Sequence, residues 1–319
     1  MNYYLRISFC FFNKNTICIL FLSFFIFLNE LKAEGYVKSE ITKIIFLGTG
    51  NPNPDPNHLG VSVLLLVNNI PYIFDCGPGL VRNASKLNPK YGGKLNGFDV
   101  KNLNKVFISH LHSDHTLGYP DLILTPWVMG RVVPIEAFGP TGLKAMTDNI
   151  LEAYKEDINI RITGLEKEND IGWRVKVNEI KEGIIYKDTN ISVEAFSVEH
   201  GNWKESYGFL IITPDRKIVI SGDCRPSKKL MAKSKNVDIL IHEVYSAEKL
   251  KTRESKWQKY HPQFHTSTYE LGEMASQIKP ALLLLYHQLY WGDSDIDLVK
   301  QIKTKWNGNV ISAQDMDEY

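Results

Sequence analysis

Cysteine is scarce: Cys10, Cys18, Cys76 and Cys224 are the only four in 319 residues, and no two have the close spacing of a zinc knuckle or redox pair. A disulfide scaffold is thereby excluded as the basis of the fold. Net charge is also nearly absent, at a formal +1, so no excess of Lys and Arg advertises a polyanion partner. There is no repeat of 20 to 50 residues. A dinucleotide loop is not indicated either, because Gly48-Thr49-Gly50 is followed by Asn53 where that motif needs glycine. Long apolar runs are missing except for Ile17 to Leu28, twelve residues that are short for a membrane span and suited to the core of a secretory leader. Arg6 and Lys14 precede the run, and Ala33 supplies a small residue at which to cleave.

Residues 1–33 are accordingly expected to be an export signal peptide, and residues 34–319 a mature domain that is periplasmic or secreted. No stable membrane association is expected unless the leader stays uncleaved. No cysteine ends the apolar run, which argues against a lipoprotein. Arg6, Lys14, Lys32 and Glu30 leave with the leader, so the remainder stays close to neutral. Cys76 and Cys224 remain, each directly after an aspartate, and read as small buried residues.

What the chain does have is 44% hydrophobic residues, arranged as short β-branched runs alternating with helical patterns. Strand-like runs include Val61 to Val67, Val106 to Ser109, Ile191 to Val198, Ile218 to Ser221, Ile239 to Ile241 and Leu282 to Tyr286. Helical patterns cover Asp121 to Met129, Gly142 to Lys155, Pro226 to Lys233, Ser267 to Gln277 and Ile296 to Lys305. Strands in that number with helices between them predict an α/β layered domain. The polar stretch Thr163 to Asn178 reads as an excursion or hairpin.

The nine histidines are not scattered. In Val106-Phe-Ile-Ser-His110-Leu-His112-Ser-Asp114-His115, a strand delivers two imidazoles two positions apart, and Asp114 and His115 follow as the chain turns into a helix. One metal ion cannot easily accept all four groups from so short a loop, whereas two can. The run therefore reads as half of a binuclear site, its imidazoles and carboxylate suiting zinc, with manganese and iron as competitors. The remaining ligands must come from other strand ends. His200 follows Ile191 to Val198, Asp223 follows Ile218 to Ser221 and could bridge two cations, and His287 follows an apolar run. Each has a plainer reading: a surface histidine, a turn former beside Gly222, a capped core histidine.

These residues carry a resemblance to the metallo-β-lactamase superfamily, and within it to the ribonuclease Z-like and arylsulfatase-like branch. The points of contact span most of residues 42–319. They are Gly48-Thr49-Gly50, Phe74-Asp75-Cys76-Gly77, the His-x-His-x-Asp-His run, His200, Gly222-Asp223-Cys224-Arg225-Pro226, His242-Glu243, His265-Thr266-Ser267 with Glu270 and Ala275, and Tyr286-His287. The resemblance implies an αββα four-layer sandwich, two β-sheets flanked by helices with the site at one edge. It implies two Zn2+ per chain, or Mn2+ or Fe2+, with His110, His112 and His200 on the first ion, Asp114, His115 and His287 on the second, and Asp223 bridging. Asp75 would stand behind the ligands and orient an imidazole. Asp114 could take a proton from the attacking water. His265, held by Glu243, would give one to the leaving group. The plainer reading of His265 is a helix cap shared with Thr266 and Ser267. His261 reads as pocket lining, His58 and His242 as weaker candidates.

The resemblance does not extend to tRNA processing without departures. Ile160 to Lys187 is short and of mixed charge, with Glu166, Glu168, Asp170, Glu179 and Glu182, where ribonuclease Z enzymes usually carry a long basic arm. Asp75 is followed by Cys-Gly-Pro-Gly, and His287 by Gln-Leu-Tyr-Trp without the usual Arg-Tyr. The leader and the neutral charge point the same way. The expectation is a metal-dependent hydrolase of a small or aryl phosphodiester or sulfate ester, arylsulfatase-like or phosphodiesterase-like, with nucleic acid not expected as substrate. Trp127, Trp203, Tyr207, Tyr290 and Trp291 could form an aromatic wall, of which Trp203, Tyr290 and Trp291 are the candidates for substrate contact. Alternatives are a ribonuclease Z-type tRNA 3′-processing endonuclease, a lactonase or β-lactamase, which would not need the His265 acid, and a non-catalytic metal-binding protein, which would normally have lost ligands. Relatives of this kind are often homodimers, and the residues themselves do not address it.

Overall fold

The computed structural model describes residues 41–319, so the expected leader lies outside the described residues. Six strands form the first sheet in chain order: β1 (Thr42–Gly48), β2 (Ser62–Val67), β3 (Ile70–Phe74), β4 (Lys105–Phe107), β5 (Ile135–Gly139) and β6 (Val175–Glu179). The second sheet has seven: β7 (Gly183–Lys187), β8 (Ser192–Ser197), β9 (Tyr207–Ile212), β10 (Lys217–Ile220), β11 (Ile239–Tyr245), β12 (Leu282–Leu289) and β13 (Val310–Ser312), lying in the order β13 to β7. Each sheet begins antiparallel and ends parallel, with β3 to β6 parallel in the first and β10 to β13 in the second.

Many strands are apolar at every position because both faces are covered. In β1, Ile44 and Phe46 enter a core shared by both sheets, while Ile45 and Leu47 enter one under the helices of the first sheet. The second sheet divides its residues likewise: Ile239, Ile241, Leu284 and Tyr286 face the shared core, and Leu240, Leu283 and Leu285 pack against Leu271, Met274 and Ala275 of the helix Thr268–Ile278. Three apolar layers between four layers of secondary structure give the αββα sandwich that the resemblance implies. Among the described residues no helix is long and apolar enough to cross a membrane.

One expectation is narrowed, and one helix goes beyond the patterns read in the sequence. Thr163 to Asn178 is an excursion rather than a hairpin: residues 164–174 connect the helix Lys155–Thr163 to β6, which joins the first sheet while β7 joins the second, so the chain changes sheets between Ile180 and Glu182. Buried Ile180 anchors this crossing in the shared core. Both are end strands of their sheets and half exposed, and their weak alternation hides them in the sequence. The helix Ser255–Phe264 was also not expected, since Pro262 interrupts its pattern.

One buried cation organises the first sheet's helical layer. Arg131 is 1% exposed, and its guanidinium donates to the carbonyls of Leu103, Leu122, Ile123 and Gly172 at 2.5 to 3.0 Å. Trp127 lies beside it, fully buried, its indole N–H donating to the Asn169 carbonyl. Trp127 is therefore packing and no part of an aromatic wall. Tyr207 is likewise buried, its hydroxyl donating to the Ile180 carbonyl.

Candidate metal centre

The residues singled out in the sequence converge at the carboxyl ends of the strands, the edge where open parallel sheets present reactive groups. Asp75 follows β3, His110 to His115 follow β4, His200 follows β8, Asp223 follows β10, and Glu243 and His287 lie late in β11 and β12. A one-turn helix, Ser113–Thr116, begins directly after His112, and the Thr116 hydroxyl donates to the His112 carbonyl at 2.8 Å. That turn aims Asp114 and His115 away from the preceding pair.

His287 owes its position to a β-bulge. Glu243 pairs with Tyr286 and Val244 with Gln288, so His287 is the extra residue, at φ 49°. Its backbone N–H leaves the ladder and donates to the Thr49 carbonyl at 2.8 Å. Asp75 also holds a left-handed φ, of 60°. Non-glycine residues at such angles concentrate at functional sites. At Gly222, with φ 59°, a Cβ would stand 2.5 Å from the Tyr207 carbonyl oxygen, so only glycine lets the Asp223 loop approach so closely.

The structure brings all seven expected ligands together, in two groups. In the first, Nδ1 of His112 lies 2.9 Å from Nε2 of His110 and 3.1 Å from Nε2 of His200. In the second, Oδ2 of Asp114 lies 3.1 Å from Nε2 of His287 and 3.6 Å from Nε2 of His115. Oδ2 of Asp223 stands between them, 3.4 Å from both His115 and His287, 3.9 Å from His110 and 4.0 Å from His200. Nε2 of His115 and Oδ1 of Asp223 are buried without a hydrogen-bond partner. Imidazole lone pairs cannot face one another at 3 Å without a cation or proton between them. Buried nitrogens and carboxylates so placed fit divalent cations: His110, His112, His200 and Asp223 form one set within ligand reach of one another, and Asp114, His115 and His287 another.

The electrostatics of the metal-free chain show the same demand. Burial holds His110 well below the ordinary histidine value and His112 and His200 at about 4. His115 is raised, because the Asp223, Asp75 and Asp114 carboxylates outweigh its burial, and His287 is raised by Asp223 and Asp114 against the same opposition. Asp114 is lowered to about 2 and Asp223 well below the carboxylate range, since His115 and His287 overcome desolvation. In the metal-free site the neighbouring carboxylates favour positive charge on His115 and His287.

The signs predict a stability maximum. An unfolded histidine titrates near 6.5. Between there and about 4 the unfolded chain takes up protons that native His112, His200 and His265 refuse, so stability falls as pH drops. Above about 6.5 the raised values of His115 and His287 act oppositely, and their contribution is lost as pH rises through them. Metal-free protein is expected to be most stable near pH 6.5, and zinc to extend the plateau upward by replacing those protons. Urea midpoints at several pH values with and without chelator check this; a steady rise from pH 5 to 9 in chelator would contradict it.

His265 lies beside the second group, its ring stacked 5.6 Å from that of His287. Its Nδ1 is 3.5 Å from Oε2 of Glu243, whose other oxygen accepts from the backbone N–H of Thr266 at 2.9 Å. The helix cap is made by Ser267 and Glu270 in a capping box, with no share for His265. Burial pushes Glu243 above the carboxylate range and His265 down to about 4. Asp223, His265 and His287 also form a third grouping within ligand reach of one another.

The three candidate substrate aromatics separate. Trp203 leans over the first group, its indole nitrogen 2.8 Å from Nε2 of His112. Tyr290 and Trp291 instead line a neighbouring depression of about 290 Å3 with His58, Arg253, Thr49 and Gln288. Trp291, at φ 48°, sits 4.5 Å from the His261 ring and 5.5 Å from the Arg253 guanidinium. Arg253 carried no sequence signal. Nor did Ser109, which donates its hydroxyl and backbone N–H to Asp75 and touches His110. His242 is fully buried, with Nδ1 donating to the Glu243 carbonyl, and faces packing. Cys76 and Cys224 are buried free thiols.

The family described as anti-Pycsar protein Apyc1 matches residues 42–297 of this chain. The chain is 27% identical over 250 residues to a ribonuclease Z of a Mycobacterium species, covering 77% of this chain and 84% of that relative. Among solved structures, the fold is similar to the metallo-β-lactamase fold protein YhfI of Bacillus subtilis, with a TM-score of 0.64 and 18% identity over 87% of this chain and 98% of that one. Human short-form tRNase Z is similar to the same degree, with a TM-score of 0.63 and 22% identity over 87% and 98% of the two chains.

Proposed function

The chain belongs to the Apyc1 family of anti-Pycsar proteins, and from that premise we propose that it is a two-metal hydrolase of a small phosphodiester, with a sulfate ester as the alternative substrate of the same site. One observation carries the proposal: a single buried carboxylate oxygen, on Asp223, lies within 4.0 Å of imidazoles from both ligand groups, with His265 beside it. When bound, divalent cations at such a pair of sites acidify water and neutralise charge on a phosphoryl group. Asp114 would accept the proton of the attacking water. His265 would return one to the departing oxygen, oriented by Glu243. Trp203 would wall the first group. The depression at Tyr290 and Trp291 would receive part of the substrate.

A second reading is an endonuclease of the ribonuclease Z type. The relatives of that name favour it and weigh against the expectation that nucleic acid is not the substrate. Small substrates are favoured by residues 160–187, most of which are taken up in the helix Lys155–Thr163, β6 and β7, so that the irregular part is confined to a short loop at 164–174. Action outside the cytoplasm belongs to the same proposal and rests on the leader over residues 1–33; an exported chain whose mass begins at Glu34 would support it.

Purified zinc-loaded protein is expected to hydrolyse bis(4-nitrophenyl) phosphate, with an aryl sulfate and a precursor tRNA assayed alongside. Efficient cleavage of precursor tRNA with no activity on either small ester would overturn the proposal for the second reading.

A further inference from the structure

We propose that Ser109 is a positioning residue that ties the two halves of the metal centre together, hanging His110 of the first group on Asp75, the carboxylate that also holds His115 of the second. The inference rests on the two-cation reading above. Ser109 is fully buried, with Oγ 2.9 Å from Oδ2 of Asp75 and 3.0 Å from Nδ1 of His110. Its backbone N–H donates to Oδ1 of Asp75 at 2.7 Å, and Nδ1 of His115 lies 3.0 Å from Oδ2.

Counting protons fixes the direction of every bond. A serine hydroxyl has one hydrogen, and an ionised carboxylate only accepts. The Ser109 hydrogen must therefore go to Asp75, since otherwise two acceptors would face each other at 2.9 Å. The oxygen is then left to accept from His110, whose hydrogen must sit on Nδ1. This leaves the His110 lone pair on Nε2, the atom that faces His112 and Asp223. His115 obeys the same logic directly: Nδ1–H donates to Asp75, and partnerless Nε2 is free for a ligand bond. Asp75 thus sets the tautomer of one ligand in each group, and among the described residues the Ser109 hydroxyl is what extends its reach to the first.

The serine is itself held from both sheets. Its carbonyl accepts from the backbone N–H of Tyr207 in β9, and its Cβ packs where a Cβ on Gly222 would come within 3.1 Å. Alanine at this position would keep the packing and remove only the hydroxyl, while threonine would restore it.

The test titrates metal-free full-length protein with zinc against a chromophoric chelator, together with ¹⁵N-histidine correlation spectra of the zinc form. Wild type is expected to take up two ions, with His110 protonated at Nδ1. Ser109→Ala should weaken one of the two ions by about 10- to 100-fold, the usual cost of losing an outer partner of a ligand, with Ser109→Thr recovering most of the loss. Asp75→Asn should weaken both. In a His287→Ala background, where the first group stands alone, the Ser109→Ala loss should persist; in His112→Ala it should vanish. Ser109→Ala with both affinities unchanged, or a zinc form with Nδ1 of His110 unprotonated, overturns the proposal. A wild type that takes up fewer than two ions overturns instead the two-cation reading on which it stands.

Discussion

Asp223→Asn is expected to abolish two-ion binding and to lower phosphodiester turnover by more than the ~10- to 100-fold that loss of an outer partner costs. Among the described residues the carboxylate is the one group whose oxygen lies within 4.0 Å of imidazoles from both ligand sets, so its removal cannot be confined to one ion. Asparagine keeps its shape and removes its charge, in a fully buried position where His115 and His287 depend on that charge. With the negative charge gone, four imidazoles face a neutral amide, and placing two dications there becomes costly. His112→Ala, by contrast, should remove one ion and spare the other. Zinc counted by elemental analysis after gel filtration separates the cases. An Asp223→Asn protein that still holds two ions would refute the bridging role.

How much of this was legible beforehand depends on how local each feature is. The His110 to His115 run announces itself because four donors within six residues have few other uses. Asp223 and His287 are single residues in ordinary surroundings, and their placement at strand ends became informative only once the run required partners. The bulge that turns His287 out of its strand leaves no mark in Ala281-Leu-Leu-Leu-Leu-Tyr-His287, because a bulge is set by pairing with β11 rather than by local sequence. Ser109 was hidden for another reason. A serine closing a strand reads as a turn residue, and its part in the site exists only through Asp75, 34 positions away. The change of sheet at Ile180 was missed because β6 and β7 are partly solvated, and half-exposed end strands alternate too weakly to be told from loops. Trp127 misled in the opposite sense: it lies close to the ligands in sequence, yet helix Tyr119–Val128 turns it into the layer beneath the sheet.

The second large effect expected is on His265, and it depends on what departs. His265→Ala should lower kcat by about 10²- to 10⁴-fold for a phosphodiester with an alkoxide leaving group, the range for loss of a general acid. For a 4-nitrophenoxide, which leaves without a proton, the loss should be far smaller. Burial, against the opposing pull of Asp223, lowers His265 to about 4 and pushes Glu243 above the carboxylate range. A bound phosphodiester adds a negative charge beside the ring, and a nearby anion favours the imidazolium. A neutral lactone brings no such charge, so an enzyme built for lactones would lose little on His265→Ala with any leaving group. Glu243→Gln should follow His265→Ala in leaving-group dependence with a smaller loss, because it removes the partner and keeps the acid. Paired kcat measurements on alkyl and nitrophenyl phosphodiesters decide the matter. Equal losses on both would assign His265 to the third ligand grouping, with Asp223 and His287, since a lost ligand slows every substrate alike.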